Sequence, residues 1–278
     1  MTKEESIERF ERYLMGEKRS FNTIKEYKSI VKNFLNFINK EPEKITIDDI
    51  EKYREYMAIE KKYSKQTIYL TMKALQVFFK FTKREDLSRL KAPKRSRKLP
   101  NYLNENEMRQ ILEASKNNKR DYAILMVLAY SGIRVSELCS LKIEDVDFFE
   151  NVIHIRSGKG DKDRMVIVDS KVMSAIRDYL NDEKRQEGYI FISRKRTRIT
   201  PTHVERIVRN YARNVGINKK VTPHVIRHTF ATTLLRNGAD IRFIQQILGH
   251  SSVATTQIYT HVNDEALREI YEKAKPHY

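Results

Sequence analysis

The sequence predicts a mainly α-helical fold with a small β-sheet, divided between an N-terminal helical domain and a larger C-terminal α+β domain. Apolar residues recur at helical spacing through most of the 278 residues. Two short β-rich runs in the second half flank a turn rich in glycine and charge. A basic segment with two prolines, KAPKRSRKLP, separates the two parts. We therefore assign residues 1–84 to the first domain, 85–100 to a linker and 101–278 to the second domain.

Four short amphipathic helices are predicted in the first domain, because its apolar positions repeat every three or four residues. The residues that define the four helices are Ile7, Phe10 and Leu14; Ile24, Tyr27, Phe34, Phe37 and Ile38; Ile50, Tyr53 and Met57; and Ile68, Met72, Leu75, Phe78 and Phe79. Asp48 is the predicted N-cap of the third helix, and Ser64 that of the fourth. Helices of this length form a small bundle with lysine and arginine on its polar faces.

The second domain is predicted to begin with a helix, since Asn104 and Glu107 have capping-box spacing. The run 122–130 is apolar on nearly all sides, which predicts a buried helix that ends near Gly132. Threonine-proline pairs at 200–201 and 222–223 predict two further helix starts. The predicted helix stops are Gly216, Gly238 and Gly249.

A hairpin is predicted around the sequence SGKGDKDR, because β-rich runs at 152–155 and 165–168 flank it. The run 189–192 is the predicted third strand. These three strands make up the small sheet of the second domain.

The charge balance favours a polyanionic partner. The chain carries 54 Lys and Arg against 37 Asp and Glu, a formal charge of +17, and such a field favours nucleic acid. Cys139 is the only cysteine, which excludes an internal disulfide and argues against a cysteine-based metal site. Its apolar neighbours predict a buried thiol. We find no signal peptide and no membrane span, so we expect a cytoplasmic protein.

Four motifs in the second domain hold the side chains that a metal-free enzyme needs to attack a phosphodiester with a tyrosine. SGIRVSEL places an arginine and a glutamate three residues apart, on one helical face after a glycine. HVIRH places two histidines and an arginine on one helix. The motif residues are Arg134 and Glu137; Lys159 of GKGDKDR; His224, Arg227 and His228; and His250 and Tyr259 of LGHSSVATTQIYTHV.

This set, in this order, resembles the tyrosine recombinase (integrase) family, and most closely its Xer subgroup. The similarity covers essentially the whole chain. It implies a SAM-like core-binding domain and a catalytic domain that together form a C-shaped clamp around duplex DNA. The expected activity is site-specific DNA recombination, with chromosome dimer resolution at cell division as the biological role. The family needs neither metal nor nucleotide, and the sequence has no P-loop and no evident two-metal carboxylate cluster, so we expect no cofactor.

The resemblance implies a role for each motif residue. Tyr259 is the expected nucleophile, which forms a 3′-phosphotyrosyl link and releases a 5′-hydroxyl. His224 is the expected acid/base partner, because a tyrosine with a pKa of about 10 is a poor nucleophile on its own. Arg134 and Arg227 are expected to hold the non-bridging oxygens with planar donor forks, and His250 is expected to be the third phosphate ligand.

The general acid and the supporting residues are less constrained by the pattern. Lys159 is expected to protonate the departing 5′-oxygen, although the same turn also offers Lys162 and Arg164. If Lys159 is the acid, the other two become candidates for contact with the DNA backbone. Glu137 is expected to orient Arg134 or a histidine, and it could also form only a structural ion pair. His228 is expected to fix its helix by a buried hydrogen bond.

The expected partner is double-stranded DNA at a specific site, bound by a homotetramer that spans two sites and associates weakly without DNA. The linker residues expected to cross the DNA backbone are Lys94, Arg95, Arg97 and Lys98. A C-terminal helix with Leu267, Ile270 and Tyr271 at helical spacing is expected to pack into a neighbouring subunit. The absence of an additional N-terminal domain resembles Xer proteins more than arm-binding phage integrases. The DNA target and any activating protein are left open.

The same residues allow other interpretations. His224 and His228 have the spacing of a zinc site, but the glutamate of HExxH is missing and Arg227 would repel a cation. A type IB topoisomerase shares the tyrosine chemistry, and a non-catalytic architectural protein shares the basic charge. Ser131 and Thr233 depart from residues common among the relatives, threonine and histidine respectively, and neither departure removes a catalytic group.

Overall fold

The computed structural model describes residues 2–90, 101–156, 163–249 and 264–278, apart from the side chains of residues 264–267. The chain divides into two compact units, Met1–Lys98 and Leu99–Tyr278. Both are mainly helical and the second carries a three-stranded sheet, which confirms the predicted fold class. None of the helices in the described ranges is long and apolar enough to cross a membrane.

The first unit is a small helical bundle around a core rich in aromatic residues. Its helices are α1 (Lys3–Gly16), α2 (Phe21–Ile38), α3 (Ile47–Glu55), α4 (Lys65–Phe81) and the short α5 (Glu85–Ser88). Phe10, Phe34, Phe78 and Phe79 are fully buried, and Phe78 meets Phe10 edge to face at 5.3 Å between ring centroids. The apolar residues predicted for the four helices meet in or pack against this core. Phe37 is the exception, because it is 41% exposed. Ser64 is the N-cap of α4, as predicted.

Two details of the first unit differ from the prediction. Thr46, not Asp48, is the N-cap of α3, because Thr46 and Asp49 form a reciprocal capping box. The Asp49 carboxylate accepts the Thr46 backbone N–H at 2.9 Å and also pairs with Lys40. Residues 85–90, which we assigned to the linker, pack onto the bundle through buried Leu87 and Leu90. The remaining linker residues, 91–100, lie outside the described residues.

The second unit is built around the buried helix α7 (Lys119–Ser131), whose residues 123–131 are all buried. Around it lie α6 (Glu105–Ser115), α8 (Val135–Ser140), α9 (Ser170–Asp182), α10 (Pro201–Asn214), α11 (Pro223–Arg236), α12 (Ile241–Leu248) and α13 (Asp264–Ala274). The predicted capping box of α6 and the threonine-proline starts of α10 and α11 are confirmed. Cys139 is buried as predicted, and burial raises the pKa of its thiol to about 11.

The sheet contains β1 (Val146–Asp147), β2 (Val152–Ile155) and β3 (Arg164–Ile167), all antiparallel in the order β1-β2-β3. The predicted hairpin strands are β2 and β3. The predicted third strand at 189–192 is wrong: this segment makes only isolated bridges to Lys142 and Arg198. Arg185 donates to the carbonyls of Tyr189 and Ile190, groups that a strand would use for pairing. The apolar run is a buried loop held by a side chain.

The C-terminal helix α13 and the residues after it pack against their own unit. Tyr271 is fully buried and its hydroxyl donates to the Tyr130 carbonyl at 3.0 Å. Lys275 pairs with Asp169 at 2.8 Å, and Asn237 donates to the Ala274 carbonyl at 3.1 Å. The predicted helical spacing in this segment is confirmed, and the helix completes the core of the second unit.

Tyr271→Ala is expected to lower the free energy of unfolding of the second unit by about 3–5 kcal/mol, because it leaves a cavity where a fully buried ring now packs. Tyr271→Phe is the matched control. It removes only the hydrogen bond to Tyr130 and should lower that free energy by about 1 kcal/mol. Denaturant titration with circular dichroism measures both. If both variants lowered the free energy of unfolding by the same amount, the ring of Tyr271 would not be packed in the core.

Candidate active site

The end of α12 is held by three arginines that come from three different parts of the second unit. The carbonyls of three successive residues, Ile247, Leu248 and Gly249, each accept a hydrogen bond from a different guanidinium. The donors are Arg164 at 3.1 Å, Arg227 at 2.7 Å and Arg134 at 3.0 Å, respectively. Carbonyls at the end of a helix have no partner within the helix and form the negative end of its dipole. They are therefore suitable acceptors for clustered cations.

Glu137 is the carboxylate that keeps this arginine cluster (Arg134, Arg164 and Arg227) together. Its two oxygens accept from the two terminal guanidinium nitrogens of Arg164 at 3.0 and 2.9 Å, a bidentate pair. They also accept from the side chain of Arg134 at 2.9 Å and from its backbone N–H at 2.7 Å. Burial acts to raise the pKa of Glu137, but the hydrogen bonds from Arg164 and Arg134 outweigh it and the pKa is lowered. The carboxylate stays charged at neutral pH.

Arg227 is the most deeply placed cation of the cluster, with 7% of its surface exposed. Besides Leu248 it donates to the carbonyl of Gly132 at 2.6 Å. Burial and the nearby charge of Arg134 lower the pKa of Arg227 to about 10, so it remains protonated at neutral pH. Three guanidinium groups against the one carboxylate of Glu137 leave a net charge of two. An anion is the ligand that relieves this repulsion.

Two glycines allow the elements of the site to approach each other. Gly132 ends α7 with φ of +60°, and a Cβ there would lie 2.9 Å from Leu248 and would overlap Phe230. Gly249 ends α12 with φ of +63°, and a Cβ there would lie 2.9 Å from the guanidinium of Arg164. Both positions combine a left-handed backbone with a lack of space for a side chain. The predicted stops near Gly132 and at Gly249 are confirmed.

The two histidines of α11 occupy different environments. His224 lies in the first turn of the helix and is exposed, three residues before buried Arg227. His228, one turn further on, is half-buried, and burial together with the charge of His224 lowers its pKa. Within the described residues no group of three or more potential metal ligands is gathered, here or elsewhere. His224 is therefore an exposed imidazole on the same helix as Arg227, three residues before it.

The structure thus brings together Arg134, Glu137 and Arg227 of the predicted site, with His224 on the same helix as Arg227. His250 follows directly after the cluster's third carbonyl. The predicted site and DNA-contact residues that lie outside the described residues are Lys94, Arg95, Arg97, Lys98, Lys159, Lys162, His250 and Tyr259.

Arg164 occupies a place that the sequence interpretation missed. Its place in a charged turn makes it a candidate for contact with the DNA backbone. In the structure only 11% of its side chain is exposed, and its guanidinium donates to Glu137. The alternation of buried and exposed side chains along β3 could have predicted the burial of Arg164. Arg164 and Val166 lie on the same face of β3, and Val166 is fully buried. An arginine on the buried face of a strand needs an acidic partner.

Two family models match the chain. The model described as the phage integrase family matches residues 101–266, and that of the phage integrase N-terminal SAM-like domain matches residues 7–89. The tyrosine recombinase XerA of Pyrococcus horikoshii is 39% identical over 273 residues, which cover 97% of this chain and 93% of the relative. The tyrosine recombinase XerC of Thermodesulfovibrio yellowstonii is 38% identical over 92% of this chain and 91% of the relative.

Solved structures agree with these matches. A crystal structure of a XerA recombinase is 50% identical and covers all of both chains with a TM-score of 0.54. The XerH site-specific recombinase, bound to its difH substrate, shares the fold with a TM-score of 0.70 and 21% identity, over 95% of this chain and 93% of that one.

Gly249→Ala is expected to destabilise the second unit more than Gly216→Ala, a matched control. Both glycines have positive φ, so alanine at either position costs about 1–2 kcal/mol in backbone strain. Only at position 249 does the new Cβ press on Arg164, which adds about 1–3 kcal/mol, since a Cβ at 216 meets nothing within 4 Å. Urea titration of the two variants measures the difference. Equal losses would show that Arg164 does not pack against Gly249.

Proposed function

The chain belongs to the phage integrase family and is a tyrosine recombinase, an enzyme that breaks and rejoins DNA at specific sites; on this premise we propose that it acts through Tyr259 and a 3′-phosphotyrosyl intermediate. The observation that carries the proposal is the arginine cluster at the end of α12. Its net positive charge suits the non-bridging oxygens of a phosphodiester, and it lies directly before His250 in the chain.

In the proposed cleavage step, the Tyr259 hydroxyl attacks the scissile phosphorus and the bond from phosphorus to the 5′-oxygen breaks. His224 accepts the tyrosine proton, and Lys159 donates a proton to the departing 5′-oxygen. Arg134, Arg227 and His250 stabilise the charge that develops on the non-bridging oxygens. The reverse attack by another strand's 5′-hydroxyl rejoins the DNA. The phosphotyrosine conserves the energy of the broken bond, so no nucleotide is consumed.

Glu137 and His228 support this step without touching the phosphate. The ion pair and backbone hydrogen bond between Glu137 and Arg134 support an orienting role for the carboxylate. His228 is half-buried on α11, the helix that also carries His224 and Arg227, and its proposed role is to fix that helix. Orientation of the reacting groups is a large part of catalysis, because misplacement by about 1 Å costs on the order of 100-fold in rate.

The proposed substrate is duplex DNA at a defined site, and the proposed role is chromosome dimer resolution by a homotetramer on two sites. The net charge of +17 supports a DNA partner, and solved neighbours such as XerH are bound to DNA. The likeness to Xer-named recombinases over nearly the whole chain supports the biological role. The residues proposed to contact the DNA backbone are Lys94, Arg95, Arg97, Lys98 and Lys162.

Covalent-adduct capture tests the nucleophile and finds the DNA target together. Wild-type protein incubated with fragmented host DNA is denatured with SDS, and the DNA that remains attached is sequenced. We expect adducts at one discrete locus with wild-type protein and none with Tyr259→Phe, because phenylalanine has no hydroxyl to attack phosphorus. Tyr102→Phe, which changes an exposed tyrosine of the same unit, is the matched control and should form adducts normally.

Two outcomes would contradict the proposal. Adducts with Tyr259→Phe would assign the nucleophile to another residue. Wild-type adducts scattered over all sequences would favour a DNA-relaxing topoisomerase, since a recombinase acts at a defined site.

A further inference from the structure

We propose that Arg164 is a positioning residue for DNA cleavage: it holds Glu137, and through Glu137 it sets the orientation and the available charge of Arg134. The inference rests on the proposed function. It gives Arg164 a role different from the contact with the DNA backbone that its place in a charged turn suggested.

The donors of Arg164 are directed at the protein. Its Nε donates to the Ile247 carbonyl at 3.1 Å, and its two terminal nitrogens donate to the two oxygens of Glu137 at 3.0 and 2.9 Å. All three nitrogens of the guanidinium are thus engaged in a side chain that is 11% exposed. The bidentate carboxylate is among the stronger pairings available to arginine, and the low exposure of the side chain leaves a phosphate little access to the guanidinium.

Glu137 transmits the effect to Arg134. The carboxylate oxygen that accepts from the Arg134 side chain at 2.9 Å also accepts from Arg164 at 3.0 Å. The other oxygen accepts from the Arg134 backbone at 2.7 Å and from Arg164 at 2.9 Å. A carboxylate offers about four lone-pair sites, so these four hydrogen bonds fix its position and orientation. Without the two hydrogen bonds from Arg164, the side chains of Glu137 and Arg134 could change their orientation together.

Arg164 also keeps positive charge available to the phosphate. With Arg164 present, the negative charge of Glu137 is shared between two guanidinium groups. Without it, Glu137 would pair with Arg134 alone, and the net charge of the cluster would fall from two to one. Glu137 would then neutralise Arg134, which is the residue proposed to bind the phosphate. Electrostatic stabilisation of the transition state depends on this charge.

The same residue joins two segments that carry predicted catalytic side chains. Arg164 is the first residue of β3, five residues after Lys159 in the hairpin. Its hydrogen bond to Ile247 holds the end of α12, and its guanidinium fills the space that a Cβ on Gly249 would need, directly before His250 in the chain. One side chain therefore fixes Arg134 and the chain segments that lead to Lys159 and His250.

The test compares single-turnover cleavage of two DNA duplexes by the full-length protein. Both duplexes carry the target sequence recovered by adduct capture. One has an ordinary scissile phosphate, and the other has a neutral methylphosphonate at that position. Arg164→Met is expected to slow adduct formation on the ordinary duplex by about 100-fold with little change in the Kd for DNA. On the methylphosphonate duplex, Arg164→Met should form the adduct less than about 10-fold more slowly than wild-type protein. The reason is that a methylphosphonate has less negative charge on its non-bridging atoms for the arginines to neutralise.

Three variants control the interpretation. Arg164→Lys keeps the charge and is less disruptive to folding, yet it should be slow as well, because lysine lacks the planar fork. Arg156→Met removes an exposed arginine that immediately precedes the same turn and that pairs with Asp145 instead of Glu137; it should cleave normally. Adding Glu137→Gln to Arg164→Met should not slow cleavage further, because the two residues act as one unit and the amide no longer neutralises Arg134. Thermal unfolding of each variant reports the folded fraction.

Each result has one interpretation. Equal deficits on both duplexes, or a loss seen only in the DNA Kd, would overturn the positioning role, since a folding defect or a backbone contact would behave in that way. Normal cleavage by Arg164→Met, with wild-type adducts present, would overturn this inference alone. No adduct with wild-type protein would overturn the proposed function and this inference with it.

Discussion

The constraint on which the site depends is the termination of α12. A helix leaves its last carbonyls without partners, and here the carbonyls of residues 247, 248 and 249 are satisfied by Arg164, Arg227 and Arg134. Each arginine comes from a different element, so one helix end brings β3, α11 and the start of α8 to the same place. Gly132 and Gly249 make this approach possible, because neither has space for a Cβ.

Charge explains why three arginines remain close together. The negative end of the α12 dipole and the carboxylate of Glu137 offset much of their mutual repulsion. The compensation is incomplete, since burial and the charge of Arg134 still lower the pKa of Arg227 to about 10. An oxyanion would complete it. The hydrogen bonds that hold α12 in place therefore also prepare a site for phosphate, and the structural and chemical roles of these arginines are inseparable.

The sequence predicted the fold class, most helix starts and the candidate residues, because capping boxes, threonine-proline pairs and motif spacing are local signals. It failed where the deciding contact was distant or where two local signals competed. Arg164 reaches Ile247 across 83 residues, which no local pattern reveals. The run 189–192 is as apolar as a strand, but Arg185 takes its carbonyls. Asp48 lost the N-cap position to Thr46, whose partner Asp49 completes a capping box.

The most direct test is a crystal structure of the Tyr259→Phe protein bound to its target duplex. Two non-bridging oxygens of the scissile phosphate should lie about 2.7–3.1 Å from guanidinium nitrogens of Arg134 and Arg227. Arg164 should keep its bidentate pair with Glu137 and its hydrogen bond to Ile247. A phosphate bound away from the arginine cluster would contradict the account, and so would an Arg164 that leaves Glu137 to grip the phosphate itself.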